Sequence, residues 1–139
     1  MKKIFFIMIV INIALWANFS RNNVTKIVTD STRSLQWQDD VNISKTWIEA
    51  IDYCEALTLG GYSDWRLPNF NELYYIADRS KAYPVINSVF HNVTPRFYWS
   101  SMSVAEKASS AWVIDFYYGG DYWNSKSLSG NVRCVRIGQ

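Results

Sequence analysis

The sequence predicts an α+β domain in which two helices pack on antiparallel strands and one disulfide ties the C-terminal strand to the first helix. Three observations predict it. Capping signals at Thr46 and Asn69 open two short helical patterns. Runs of alternating apolar residues flank them on both sides. The only two cysteines, Cys54 and Cys134, fall on the inner stripe of the first helix and in the last strand.

The chain starts Met1-Lys2-Lys3 and continues with an apolar run to Ala17, interrupted only by Asn12. A basic start, a short apolar core and a small residue at its end have the form of a secretory signal peptide, expected to span residues 1–17. The run falls short of the roughly 18–20 apolar residues that cross a bilayer. An uncleaved N-terminal anchor is the alternative. Loss of the leader leaves about 120 residues, the size of one ordinary domain, and no membrane span. It also removes Lys2 and Lys3, so the remaining basic side chains balance the 12 acidic ones. A clustered basic face, the footprint of nucleic-acid binding, is absent from the pattern. The expected compartment is the periplasm or the cell exterior.

Residues 18–23 read as a loose lead-in to a domain over 24–139. Val24 to Asp30 and Arg33 to Gln38 alternate as the two arms of a β-hairpin, with Ser31-Thr32 at the turn. Thr46 and Glu49 have capping-box spacing, and Trp47, Ile51, Cys54 and Leu57 form one helical stripe that Gly60-Gly61 stops. Pro68-Asn69 with Glu72 opens a shorter helix carrying Leu73, Ile76 and Ala77. Phe97 to Ser101, Ala111 to Phe116 and Asn131 to Ile137 read as strands.

Export to an oxidising compartment and an even cysteine count favour a Cys54–Cys134 bond. Two separately buried thiols are the alternative. A two-cysteine metal site is disfavoured because the lone histidine, His91, has no ligand-like spacing with either.

The order of the blocks carries more information than any one of them. Val28-Thr29-Asp30 and Leu35-Gln36-Trp37-Gln38-Asp39-Asp40 precede the first helix. Leu59-Gly60-Gly61-Tyr62-Ser63-Asp64-Trp65-Arg66-Leu67-Pro68-Asn69 and Glu72-Leu73 follow it. Then come Tyr98-Trp99-Ser100-Ser101, Ala111-Trp112-Val113 and Val132-Arg133-Cys134-Val135-Arg136. This succession resembles the bacterial family named after the C-terminal domain of the Legionella collagen-like protein (Lcl). The resemblance spans nearly all of residues 24–137. It implies a C-type-lectin-like fold with twisted antiparallel strands. It also implies extracytoplasmic work, namely adhesion or glycan binding in the collagen-like member. Trimerisation is not implied, because glycine never recurs at every third position here. The Trp65-Arg66-Leu67-Pro68 block is also similar to one in formylglycine-generating enzymes.

Read from the residues, that block has a structural job. Proline ends extended chain and opens a helix at Asn69, and Arg66 can brace loop carbonyls or pair with Asp64 or Glu72. Trp37, Trp47, Trp99 and Trp112 sit at alternating or helical positions and read as core.

Catalytic patterns are weak. His91 lies in a polar stretch without a triad-like neighbourhood, so no catalytic residue is assigned. Calcium needs about six to eight oxygens from a shaped loop, and neither Asp39-Asp40 with Asn42 nor Asp121 with Asn124 supplies them. No metal or cofactor is assigned. The segment Tyr117 to Asn124 is the candidate contact surface, with Tyr118, Asp121, Tyr122, Trp123 and Asn124 as its ligand-binding residues. Its glycines permit a tight turn, its aromatics offer flat apolar faces, and its Asp and Asn offer hydrogen bonds. A hairpin turn whose aromatics cover the core is the alternative. Asn42-Ile43-Ser44 after Asp40 has the form of an acidic glycosylation sequon, with Asn42 as acceptor and a chance match as the alternative. The expected function is a non-catalytic binding or adhesion module for glycans or a surface protein. The alternative is an enzyme or enzyme accessory of the formylglycine-generating type.

Overall fold

The computed structural model describes residues 18–138. The expected signal peptide lies outside the described residues. Over the described residues the fold is α+β, with two helices and two sheets.

The first sheet is built from β1 (Phe19–Asn22), β2 (Ile27–Asp30), β3 (Leu35–Gln38) and, from the far end of the chain, β9 (Val135–Ile137), in the order β1-β2-β3-β9. The second contains β4 (Ile43–Lys45), β5 (Phe97–Val104), β6 (Lys107–Asp115), β7 (Asp121–Ser125) and β8 (Gly130–Val132), in the order β4-β8-β5-β6-β7. All pairings are antiparallel except β5 with β8, which touch in parallel at Tyr98 and Asn131.

Both helices start where local valence requires. In α1 (Trp47–Ala56), the Glu49 carboxylate accepts from the Thr46 N–H at 3.0 Å. In α2 (Phe70–Tyr75), Asn69 and Glu72 exchange hydrogen bonds at 2.8 and 2.9 Å, which satisfies two of the free amides of the first turn. Alternate residues of the second sheet serve two cores. Tyr98 and Ile114, with Phe116 just past β6, join Val28, Trp37, Leu73 and Val135 in one, while Trp99, Ala111 and Val113 join Ala50, Cys54, Trp65 and Val132 in the other. The sheet therefore separates α2 on one face from α1 on the other.

Several expectations need correction. Residues 18–23 are no loose lead-in, because Phe19–Asn22 forms edge strand β1 on β2. The hairpin arms are shorter than their alternation suggested, starting at Ile27 and Leu35. The first helix ends at Ala56, and Gly60-Gly61 instead occupies the small turn closed by the Leu59–Tyr62 bridge. Gly60 and Gly61 both have positive φ, and a Cβ on Gly60 would sit 2.4 Å from Ile27 Cδ1. The expected last strand is two strands in different sheets. Val132 ends β8, Val135 starts β9, and Arg133-Cys134 makes the crossing.

That crossing is secured by a disulfide and several hydrogen bonds. Cys134 is bonded to Cys54 of α1, with both residues fully buried. Its carbonyl accepts from the Gln38 N–H at 2.9 Å. Arg133 is 2 % exposed and donates to Gln38 O at 2.6 Å, to Asp39 Oδ1 at 2.9 Å and to Asn92 O. Asp39 also accepts from Arg21 Nε at 2.6 Å and from the backbone N–H groups of His91 and Asn92 at 3.0 and 3.1 Å. Burial pushes the Asp39 carboxyl up. The His91 N–H bond, the charge of Arg133 and the hydrogen bonds of Arg21 and Arg133 together outweigh it and hold the carboxyl below its ordinary value. Asp39 is thus a buried knot rather than a loop-borne cation ligand.

The Trp65-Arg66-Leu67-Pro68 segment is wedged between the two sheets. Arg66 exchanges both backbone hydrogen bonds with Val135 of β9 at 2.9 Å, and the Pro68 carbonyl accepts from Ser101 of β5 at 2.8 Å. Trp65 and Leu67 fill the core, and the indole of Trp65 donates to Tyr62 O at 3.1 Å. The Arg66 guanidinium makes a bidentate pair with Glu72, both contacts at 2.7 Å, and so braces the start of α2.

Candidate functional site

The segment expected as one contact surface is divided between two faces of a sheet. Tyr117 to Gly120 turns the chain from β6 into β7. The Gly119 N–H donates to Asp115 O at 2.7 Å, and the Asp115 N–H donates to Gly120 O at 2.8 Å. Gly119 has φ of 77°, and a Cβ there would meet Val85 at 2.7 Å. Tyr118 stands out of this turn, 74 % exposed, with the ring of Tyr117 against it. From Asp121 onward the chain is an edge strand, and successive side chains point to opposite faces.

Trp123 falls on the α2 face. It meets Trp112, its directly opposite partner in β6, edge to face at 5.2 Å. Trp112 meets Phe70 at 5.8 Å, Phe70 stacks on Tyr74 at 5.9 Å, and Tyr74 meets Tyr75 at 6.2 Å. Five rings from β6, β7 and α2 thus form one unbroken chain of aromatic contacts. Trp123 is 50 % exposed, Tyr75 54 % and the adjoining Met102 45 %. A shallow apolar cleft of about 340 Å³ lies between Phe70, Met102 and Trp112, with Asp121 as its charged wall. Two guanidinium groups lie over the far rings, Arg79 at 4.0 Å from the Tyr74 centroid and Arg33 at 4.3 Å from that of Tyr75. Arg79 also donates to Gly119 O at 3.0 Å, which fixes the β6–β7 turn to the end of the aromatic chain.

Tyr122 falls on the other face. Its ring meets Phe97 at 6.4 Å, and its hydroxyl donates to Asp115 Oδ2 at 3.0 Å. Burial, and then the hydrogen bond to the Asp115 carboxylate and its charge, push the phenol up to about 12. Asn124 is two residues further on and partly buried.

Of the expected ligand-binding residues, the structure therefore groups Asp121 and Trp123, separates them from Tyr122 and Asn124, and leaves Tyr118 alone on the turn. Trp112 is a further correction. It is only partly buried and links Trp123 to α2, whereas Trp37 and Trp99 are core residues at 0 % exposure. Phe70, Tyr74 and Tyr75 went unnoticed as surface residues. Their signal was the run Phe70-Asn71-Glu72-Leu73-Tyr74-Tyr75, more aromatic than a six-residue helix with one buried leucine requires.

Asn42 is exposed, immediately before β4. His91 is exposed, and its backbone N–H serves Asp39. No three His, Cys, Asp or Glu among the described residues converge as metal ligands would.

The decisive comparison covers most of the chain. The sequence profile of the Lcl C-terminal domain matches residues 26–136. The chain belongs to the Lcl C-terminal domain family. The matched stretch runs from just before β2 into β9, so β1 precedes it. No curated protein matches the chain. As a member of the Lcl C-terminal domain family, the protein combines a disulfide, which fits an oxidising extracytoplasmic compartment, with described residues that include no helix long and apolar enough to cross a membrane.

Proposed function

We propose that this Lcl C-terminal domain is a non-catalytic binding module of an exported protein. It holds an extended ligand, a glycan chain or a segment of a surface protein, against the aromatic face formed by α2, β6 and β7. The observation that carries the reading is the contact chain Trp123–Trp112–Phe70–Tyr74–Tyr75, with its two ends half exposed. A contiguous apolar surface of this kind is costly to leave in water and is characteristic of contact sites. Rigid aromatic rings bring large contact area at small entropic cost, which makes them anchors in such sites. Asp121 at the cleft supplies a hydrogen-bond acceptor for hydroxyl or amide groups.

The alternative of formylglycine-type chemistry depends on a cysteine thiol. Cys54 and Cys134, both fully buried, are bonded to each other, so that requirement is not met by this chain's own residues.

The test is capture of the oxidised protein by a glycan array and, in parallel, by surface proteins displayed on intact cells. Retention that is lost on Trp123→Ala supports the reading and identifies the ligand class. Retention that Trp123→Ala leaves at full strength in a folded protein overturns it.

A further inference from the structure

The α1 side of the second sheet carries a separate cleft of about 620 Å³, lined among others by Thr94, Arg96, Phe97, Asp115, Tyr117 and Tyr122. Its charges are arranged unusually. Asp115 accepts the Tyr117 N–H on Oδ1 at 2.7 Å and the Tyr122 hydroxyl on Oδ2 at 3.0 Å. An ionised carboxylate offers about four acceptor sites, so both oxygens keep capacity. Arg96 is engaged through its backbone, donating to Thr94 O at 2.8 Å and accepting from the Phe116 N–H at 3.0 Å. Arg96 is an exposed residue, and its guanidinium has no hydrogen-bond or ion-pair partner among the described residues. Asp115 and Arg96 thus line one cleft without forming an ion pair with each other.

The carboxylate has aromatic company. Phe97 is the direct cross-strand partner of Asp115, and Tyr122, on the adjoining strand, touches both. Aromatic faces beside a carboxylate attract an ammonium group, through the ring quadrupole as well as the formal charge. A guanidinium in the same cleft repels a simple cation but attracts a phosphate or a carboxylate. A ligand with both signs gains from both ends, and a ligand with one sign is opposed at the other.

We propose that this cleft binds a small zwitterion, with its ammonium group against Asp115 and the rings of Phe97 and Tyr122, and its anionic group against Arg96. The shared chemistry occurs in lipid and glycan headgroups of the phosphocholine type and in free amino-acid-like solutes of the betaine type. The site lies on the opposite face of β7 from Trp123 and stands independently of the aromatic surface.

Calorimetric titration of the oxidised exported protein with phosphocholine, glycine betaine, choline and inorganic phosphate tests it. At least one of the two zwitterions is expected to saturate at millimolar concentration or below, with choline and phosphate each about tenfold weaker, as loss of one charge-assisted contact implies. Saturation by phosphocholine alone points to a headgroup, and saturation by glycine betaine alone points to a free solute. Arg96→Gln, at an exposed position that leaves the fold intact, should reduce zwitterion binding about tenfold. Trp123→Ala should leave it unchanged, which separates this site from the aromatic one. Failure of both zwitterions to saturate, or parental affinity in both Arg96→Gln and Asp115→Asn, overturns the proposal.

Discussion

Trp112 and Trp123 stand directly opposite each other on neighbouring strands and meet edge to face at 5.2 Å, while Tyr122, one residue earlier, reaches Asp115 on the other side of the same sheet. A strand only five residues long therefore contributes to two unlike surfaces. One is aromatic and continuous with α2. The other is polar and carries both charges.

Trp123 should be an anchor that the fold does not need. It is half exposed at a sheet edge, so Trp123→Ala should leave the melting temperature nearly unchanged. Loss of a true anchor lowers affinity by roughly thirtyfold, or about 2 kcal/mol. Trp99→Ala is the contrasting case, because Trp99 is fully buried and its indole donates to Lys45 O at 3.0 Å. That change should cost about 3–5 kcal/mol of stability. Chemical denaturation of the two variants beside a capture assay distinguishes the roles.

The Cys54–Cys134 bond closes a loop of sequence separation 80. In the chain-entropy account a loop of that order stabilises the folded state by about 4–5 kcal/mol. Replacing both cysteines by alanine should lower the urea midpoint accordingly. A double variant as stable as the parent would show that the crossing at Arg133-Cys134 is held by its hydrogen bonds alone.

Asp39 makes stability depend on acid. Its folded carboxyl lies below the usual 3.8, so the unfolded chain binds the proton more readily. The contribution is full above that unfolded value and is lost as pH falls through the lower folded one. Stability measured between neutral pH and strong acid should therefore drop below about pH 4. Asp39→Asn should flatten part of that drop and cost about 3–5 kcal/mol at neutral pH, because Arg133 and Arg21 then lack their counter-charge. An unchanged acid profile in the variant contradicts this role for Asp39.

Arg66 and Glu72 should act as a unit. Their bidentate contact, both bonds 2.7 Å, sits on the capping residue of α2. A double-mutant cycle with Arg66→Ala and Glu72→Ala should give a coupling of about 1 kcal/mol or more. Independent effects would mean that Glu72 serves only as the cap.

The parts that were legible in the sequence are those whose physics is local. The caps had to satisfy free amides within one turn, and as spaced Glu49 takes the Thr46 N–H while Asn69 and Glu72 exchange bonds. The inward stripe of α1 placed Cys54 where its partner arrives. What sequence reading missed is set by residues far apart. Phe19–Asn22 shows no alternation of apolar residues that would mark a strand, and is a strand only because β2 offers an edge. Asn131 to Val135 is buried throughout, so its pattern could not reveal that the chain leaves one sheet for another at Arg133. The partners of Asp39 lie as far away as Arg133, at a sequence separation of 94. The candidate site was half legible. Tyr117 to Asn124 reads as a single surface in the sequence because its strand alternation begins only at Asp121, and Phe70, Tyr74 and Tyr75 join it only after α2 has docked.

Hydroxyl-radical footprinting of the oxidised protein, with and without the ligand retained on the capture surfaces, tests the aromatic contact face most directly. The account predicts protection of Trp123, Met102 and Tyr75, with Tyr83 and Tyr62, which lie outside the aromatic chain, remaining as reactive as before. Protection elsewhere on the domain, with Trp123 and Met102 oxidised as readily as in the free protein, would contradict it.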